Sequence, residues 1–233
     1  MRGGNLKMSS DFTGAASSFF GNTRTAASLV LGTSLGALFA LSSFSNSSRT
    51  PLEFFMVKAY RLLTWTAFVL SLNCVITCTV ASAGILHGNF NPMAETATEF
   101  LLREFEYEFV ALNWSMLVTL LMFIVLVTTR MLLEFNLLSD PNRSQTAKFV
   151  VLSAVALLAH LLSYINSTLC CWSNLWEMTV HMVQVVSSDT LKEPSSMKIL
   201  SAVAACGSIY YGLSAALTPH TPPAATEQKP KAE

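Results

Sequence analysis

Residues 110–129 read VALNWSMLVTLLMFIVLVTT, an unbroken apolar run without a charged side chain. The hydrocarbon core of a bilayer is about 30 Å thick, and a helix needs about 20 apolar residues to cross it. The run has the length and the polarity of one such crossing. It therefore predicts a membrane-spanning helix, with Asn113 and Trp114 close to its boundary with the headgroups.

Four further runs are also free of Lys, Arg, Asp and Glu, and they cover residues 26–44, 62–86, 149–172 and 199–217. A chain in lipid must satisfy its backbone hydrogen bonds internally, so these runs are expected to be helices. The sequence thus predicts an all-α polytopic bundle with four or five transmembrane helices, and the lipid bilayer as a partner. The number stays open because run 26–44 is rich in Ser, Thr, Gly and Ala, which brings its insertion energy near neutral.

Charged residues are scarce throughout the chain. They make up 12% of its 233 residues, whereas about 25% is usual in soluble domains. Hydrophobic residues make up 52% and the mean hydropathy is +0.49, so a water-soluble helical globule is disfavoured. The net charge is zero, and no nucleic-acid partner is expected, because such partners are bound through basic patches.

The pattern divides the chain into a polar N-terminal segment (1–25), a transmembrane helix bundle (26–217) and a tail (218–233). Residues 1–48 are rich in Ser and Thr and hold one acidic residue, Asp11, which is compatible with an organellar targeting peptide. The tail holds four prolines and four charged residues and is expected to be disordered.

Two helix starts have the features of a capping box, in which an N-cap Thr and a Glu three residues later satisfy the first backbone N–H groups. They begin at Thr50 and Thr96. The first predicts a helix over residues 51–86. The second predicts a continuous helix over residues 97–138, on the order of 60 Å long at 1.5 Å per residue. Helices 2 and 3 are therefore expected to extend beyond the bilayer.

Basic residues outside the runs predict the orientation, because they concentrate on the inner side of a membrane. Loop 87–109 has Arg103 as its only cation among five Glu. The flanks on the opposite side carry more cations: Arg49, Lys58, Arg61, Arg130, Arg143 and Lys148. This asymmetry places the C-terminus on the cytoplasmic or equivalent inner side. An organellar membrane is compatible with the sequence.

Two runs carry a ridge of small residues that recur every four positions. Such ridges let helix backbones approach closely in lipid, where packing rather than the hydrophobic effect drives association. The ridges are Ser28, Gly32, Gly36 and Ala40 in the first run, and Ala204, Ser208, Gly212 and Ala216 in the fifth. We expect them to supply tight contacts, either to each other or to a second copy.

A few polar side chains lie within the runs. His160 is the only imidazole deep in a run, and a titratable group in a membrane is a candidate for a functional role. It has no acidic partner in any run, so structural hydrogen bonding to Asn73, Tyr164 or Asn166 is the preferred interpretation over a proton or ligand role. Cys74 and Cys78, four residues apart, are interpreted as small packing residues.

The chemistry of an enzyme is not apparent in the sequence. No phosphate-binding loop, nucleophile elbow or dinucleotide fingerprint occurs. The four His are scattered, and no metal, cofactor or catalytic residue is predicted. The preferred function is a non-enzymatic structural or accessory subunit of a homo-oligomer or a larger membrane complex. The alternative is an oligomeric channel or transporter-like pore lined by neutral polar residues.

Overall fold

The computed structural model describes residues 10–40, 51–88, 90–135, 144–168, 172–192 and 196–217. Over these residues the chain forms seven α-helices and one pair of short strands, which confirms the all-α prediction. The tail and the N-cap Thr50 lie outside the described residues. In chain order the elements are β1 (Ser10–Asp11), α1 (Thr13–Ala40), α2 (Pro51–His87), β2 (Met93–Ala94), α3 (Ala97–Glu104), α4 (Glu106–Glu134), α5 (Ser144–Thr168), α6 (Leu175–Lys192) and α7 (Ser196–Leu217).

Three helices, α2, α4 and α5, are long and apolar enough to cross a membrane. α7 contributes a shorter apolar segment, Ile199–Ala215. Only 6% of the most apolar window of α5 is buried inside the protein, and Leu152 and Val155 are both largely exposed. Contiguous apolar surface on this scale is rare on soluble monomers. These helices indicate a membrane-embedded protein.

α2 has the bounds that its sequence predicts. Proline is tolerated in its first turn because that N–H has no partner within a helix. The helix ends at His87, and Gly88 follows with φ +69°, a left-handed conformation that glycine adopts without a steric penalty. The Gly88 N–H donates to the Ile85 carbonyl at 3.3 Å and closes the last turn.

The loop after α2 is held by a short antiparallel pair, in which Ser10 lies opposite Ala94 and Asp11 opposite Met93. The N-terminal end of α1 is thereby placed beside the loop. The predicted cap of α3 is confirmed, since Thr96 Oγ1 accepts from the Glu99 N–H at 3.1 Å. The Glu99 carboxylate accepts from the Glu95 N–H rather than from the N-cap amide.

The prediction of one continuous helix over 97–138 is wrong, because the chain breaks at Phe105. Phe105 has φ −136° and ψ 40°, which ends α3 and begins α4. Its ring, 7% exposed, packs in a T-shaped arrangement on Phe20, Phe90 and Phe100. A continuous helix would satisfy only the backbone hydrogen bonds of this segment. The break keeps most of those bonds, and it also allows the Phe105 ring to pack into the buried aromatic cluster.

α2 lies between α1 and α4 and makes the two most extensive interfaces with them. α1 runs antiparallel to α2: Phe20, near its start, shares a core with Ile85, whereas Ala37, near its end, packs with Tyr60. α5 and α6 both pack against α4, and α7 contacts α2 more sparsely. The bundle therefore has an aromatic end, with Phe20 and the α3–α4 break, and a basic end, where α2 begins and α4 ends.

Candidate functional site: a hydroxyl-lined seam and a cavity at the basic end

The buried face of α2 consists mostly of small residues whose spacing alternates between three and four. This spacing presents one continuous stripe to neighbouring helices, as in left-handed coiled coils. Small residues along it let α1 and α4 approach closely. The stripe comprises Val57, Tyr60, Thr64, Ala67, Ser71, Cys74, Cys78, Ala81 and Ile85. Cys74 and Cys78 are fully buried in it, which confirms their interpretation as packing residues.

Hydroxyl groups accumulate along this seam between α1, α2 and α4. The buried ones are Ser34, Thr64, Ser71, Ser115, Thr119 and Thr129. Three of these side chains bond to a carbonyl one turn earlier: Thr64 to Tyr60 at 2.7 Å, Ser71 to Ala67 at 2.8 Å and Thr129 to Val125 at 2.8 Å. Such bonds satisfy the hydroxyl within its own helix. Thr64, Ser71 and Thr129 are thus satisfied within their own helices, and their small side chains let the neighbouring helices pack closely.

Two buried hydroxyls depart from this rule. Ser34 Oγ and Thr119 Oγ1 are buried and have no hydrogen-bond partner. An unsatisfied buried polar group destabilises a fold by about 1–3 kcal/mol, so each one calls for an explanation. Ser34 lines a cavity.

The cavity lies between α1 and α4 near the basic end and has a volume of about 170 Å³. An engineered apolar cavity of about 150 Å³ binds benzene, so this one can hold part of a small molecule. Its walls are mainly apolar, with hydroxyls on one side and a guanidinium at one end. The lining residues are Thr33, Ser34, Ala37, Tyr60, Phe123, Leu126, Val127 and Arg130.

At the aromatic end, α6 is fixed to α4 by direct contacts. Trp114 Nε1 donates to Thr179 Oγ1 at 3.0 Å, and Trp172 stacks on Phe109 with ring centroids 6.2 Å apart. His181 Nε2 lies 3.6 Å from the Glu106 carboxylate. No group of three or more His, Cys, Asp or Glu with the geometry of a metal site occurs within the described ranges.

The start of α6 carries a capping arrangement. The Ser173 backbone N–H donates to the Glu177 carboxylate at 2.7 Å. This bond and a side-chain hydrogen bond from Ser173, with a smaller contribution from His181, hold the pKa of Glu177 below its usual value. The Glu177 N–H donates in turn to Asn174 Oδ1 at 2.9 Å. The chemistry of this cluster is therefore that of a helix cap.

The two predicted ridges do not pack against each other within one protomer. On α1, Ser28, Gly32 and Gly36 are exposed, and a Cβ added at either glycine would meet no atom within 4 Å. The side chain of Ala40 lies outside the description. On α7 the space at Gly212 is equally open; Ala204 and Ser208 are exposed, and the side chain of Ala216 is outside the description.

The polar residues predicted within the runs are also dispersed. His160 is exposed on α5, which packs against α4, and Asn73 is exposed on α2. No hydrogen bond joins these two described side chains. Tyr164 is 60% exposed, and Asn166 Oδ1 accepts from the Leu175 N–H at 3.2 Å, which ties the end of α5 to the start of α6.

Sequence reasoning missed both the stripe on α2 and the cavity. A search for spacings alternating between three and four would have found the stripe, because six of its small residues follow one another in that order. The cavity has no such signal, since its lining comes from three helices. Comparison of the chain with protein-family models, with curated proteins and with solved structures gave no match.

Proposed function

We propose that the chain is a non-enzymatic membrane protein with four or five transmembrane helices, acting as a structural or accessory subunit. Its partners are further copies of itself or a larger membrane complex. One observation carries the proposal: the small-residue face of α1, with Ser28, Gly32 and Gly36, is exposed while its opposite face is buried against α2. This face is therefore available for a contact between proteins.

The length and the position of α1 support its placement within the membrane. It has 28 residues, so its length of about 42 Å at 1.5 Å per residue exceeds the hydrocarbon thickness. It lies antiparallel along α2 from Phe20 to Ala37. Its exposed face carries hydroxyls and glycines between the exposed side chains of Leu29 and Phe39, and the small polar residues gain little from contact with acyl chains. Contact with a second helix would cover this face and gain from close packing.

The orientation is proposed from the charges. The basic end faces the cytoplasmic or equivalent inner side, and α7 ends on that side. The pairing of β1 with β2 supports an outer position for the start of α1, because β2 belongs to the loop with five Glu and one cation. An organellar membrane remains compatible with this arrangement.

The test is the oligomeric state of the full chain in mild detergent, measured by light scattering after size exclusion. Gly36→Leu and Gly212→Leu place a side chain on each ridge, and we expect either one to shift the assembly towards the monomer. Gly207→Leu is the matched control, because Gly207 is also open but lies about 100° around α7 from the ridge. Since glycine disfavours helices by about 1 kcal/mol, the protomer should not lose stability. An assembly unchanged by both ridge variants would refute the proposal.

The alternative is an oligomeric pore. It is favoured by the polar groups that accompany the exposed ridge on α1, among them Asn22, Thr25 and Thr33. Around an oligomer axis these neutral groups would line an aqueous path. Conductance of the reconstituted chain, lost on Thr25→Val, would favour the pore. Co-purification with a defined complex, without conductance, would favour the accessory role.

A further inference from the structure

The cavity between α1 and α4 combines three features. Its walls at Ala37, Phe123 and Leu126 are apolar, the buried Ser34 hydroxyl lacks a partner, and Arg130 lies at one end. A purely apolar ligand would match the walls but would offer nothing to the polar end of the cavity at Tyr60 and Arg130. The lining therefore suits an amphipathic ligand with a hydrogen-bond acceptor.

The depth of the cavity matches a lipid interface. Tyr60 and Arg130 lie just outside the uncharged runs 62–86 and 110–129, where the hydrocarbon gives way to headgroups. From Arg130 to Phe123 the lining follows α4 for seven residues, or about 10 Å. The polar end of the cavity thus lies at headgroup level, and its apolar part extends towards the membrane centre.

The polar end can bind an anion. Arg130 Nε donates to the Glu134 carboxylate at 3.0 Å, and Tyr60 supplies a further side-chain hydrogen bond. A guanidinium has five N–H donors, so donors remain after these bonds. The Arg130 side chain is 39% exposed, which leaves it accessible. Lys58 and Arg61 lie on the same end of α2 and add positive charge.

We propose that this cavity binds one anionic phospholipid per protomer. Phosphate oxygens accept hydrogen bonds from the Arg130 guanidinium, which suits phosphate geometry. The start of an acyl chain fills the space between Ala37, Phe123 and Leu126. Basic pockets between helices on the inner side of membranes bind acidic headgroups in this way. The proposal rests on the membrane placement proposed above and is independent of the oligomeric contact.

Native mass spectrometry of the full chain in mild detergent tests the proposal. The chain is titrated with phosphatidylglycerol, and with phosphatidylcholine as the zwitterionic comparison. We expect one saturable phosphatidylglycerol per protomer and at least tenfold weaker binding of phosphatidylcholine. Arg130→Gln should weaken phosphatidylglycerol binding by about tenfold or more, because hydrogen bonds to charged groups are the strong ones. Glu134→Gln keeps the cation and should not weaken binding.

A second pair of variants tests the cavity without touching a charge. Val127→Phe places a ring at the cavity lining from a position 47% exposed, so it should fold and reduce lipid binding. Val125→Phe is the matched control, because Val125 is exposed on the same helix but does not line the cavity. Equal binding of the two lipids, or equal effects of the two Phe variants, would overturn the proposal.

Inorganic phosphate separates a lipid site from a site for free anions. We expect millimolar phosphate to leave lipid binding unchanged, because the apolar walls contribute nothing to the binding affinity of a free ion. Competition by phosphate at that concentration would overturn the lipid assignment. Lipid binding is counted on protomer masses, so its failure is distinguishable from loss of the oligomer.

Discussion

Replacing Phe20 by Ala should be among the most destabilising single changes at the aromatic end. The ring is fully buried and contacts Phe19 with centroids 5.3 Å apart and Phe105 at 5.8 Å, both edge to face. Burial of a Phe side chain contributes about 1.5–3 kcal/mol, and each aromatic pair adds about 0.5–1.5 kcal/mol. We therefore expect a loss of about 3–5 kcal/mol in the free energy of unfolding, the range found for Phe→Ala changes in cores.

The assay is reversible unfolding of the full chain in detergent, followed by tryptophan emission. Trp172 stacks on Phe109, which packs on the same cluster, so its emission reports on this end. Phe39→Ala is the control on the same helix, since Phe39 is 76% exposed and its loss should change stability by no more than about 0.5 kcal/mol. A Phe20→Ala loss below about 1 kcal/mol would refute the reasoning, because it would mean that acyl chains replace the lost contacts and that the cluster excludes no water.

Two further predictions concern the polar contacts at this end. Because the Ser173 N–H lowers the pKa of Glu177, its stabilisation is present above the unfolded pKa of about 4.3 and is lost as the pH falls through the lower folded pKa. Glu177→Gln should remove that part of the acid dependence of thermal unfolding, and an unchanged acid limb would contradict it. Arg103 donates to the carbonyls of Asn91 at 2.5 Å and Met93 at 3.2 Å, so Arg103→Ala should raise amide exchange at Met93 on the order of tenfold. Exchange equal to that of the native chain would show that β1 and β2 hold the loop unaided.

The element boundaries were predictable where local chemistry decides them. Pro51 and Gly88 delimit α2 because a proline fits the first helical turn and a glycine fits the left-handed position after the last. α3 begins after Thr96 for a similarly local reason, because the Thr96 hydroxyl accepts from a backbone N–H of its first turn. The break at Phe105 was not predictable, because the residues around it favour helix and the gain comes from rings on α1, α3 and the loop at Phe90.

The candidate site was predictable only in part. Cys74 and Cys78 were identified as packing residues from their size and spacing, and both are buried. The ridge at Gly32 and Gly36 was identified as a contact surface, and the protomer leaves it exposed. The cavity at Ser34 was beyond prediction, because no spacing within one helix places Ser34 near Arg130.

The amino-acid sequence by itself determined that this chain is helical, where most of its helices lie, and that several of them are apolar enough to cross a membrane. It predicted four or five such helices, of which the structure supports three. The length of an apolar run, its lack of charged residues and its capping residues are properties of that segment alone. They can therefore be identified without knowledge of the fold. Tertiary structure alone decided which faces are buried, where the third long helix breaks and where a cavity remains. The physical reason is that these runs are apolar on all sides, so hydrophobicity cannot distinguish an inner face from a lipid face. Steric fit determines which face is buried, because the stripe of small residues on α2 packs closely against α1 and α4. That fit exists only once the helices are in contact.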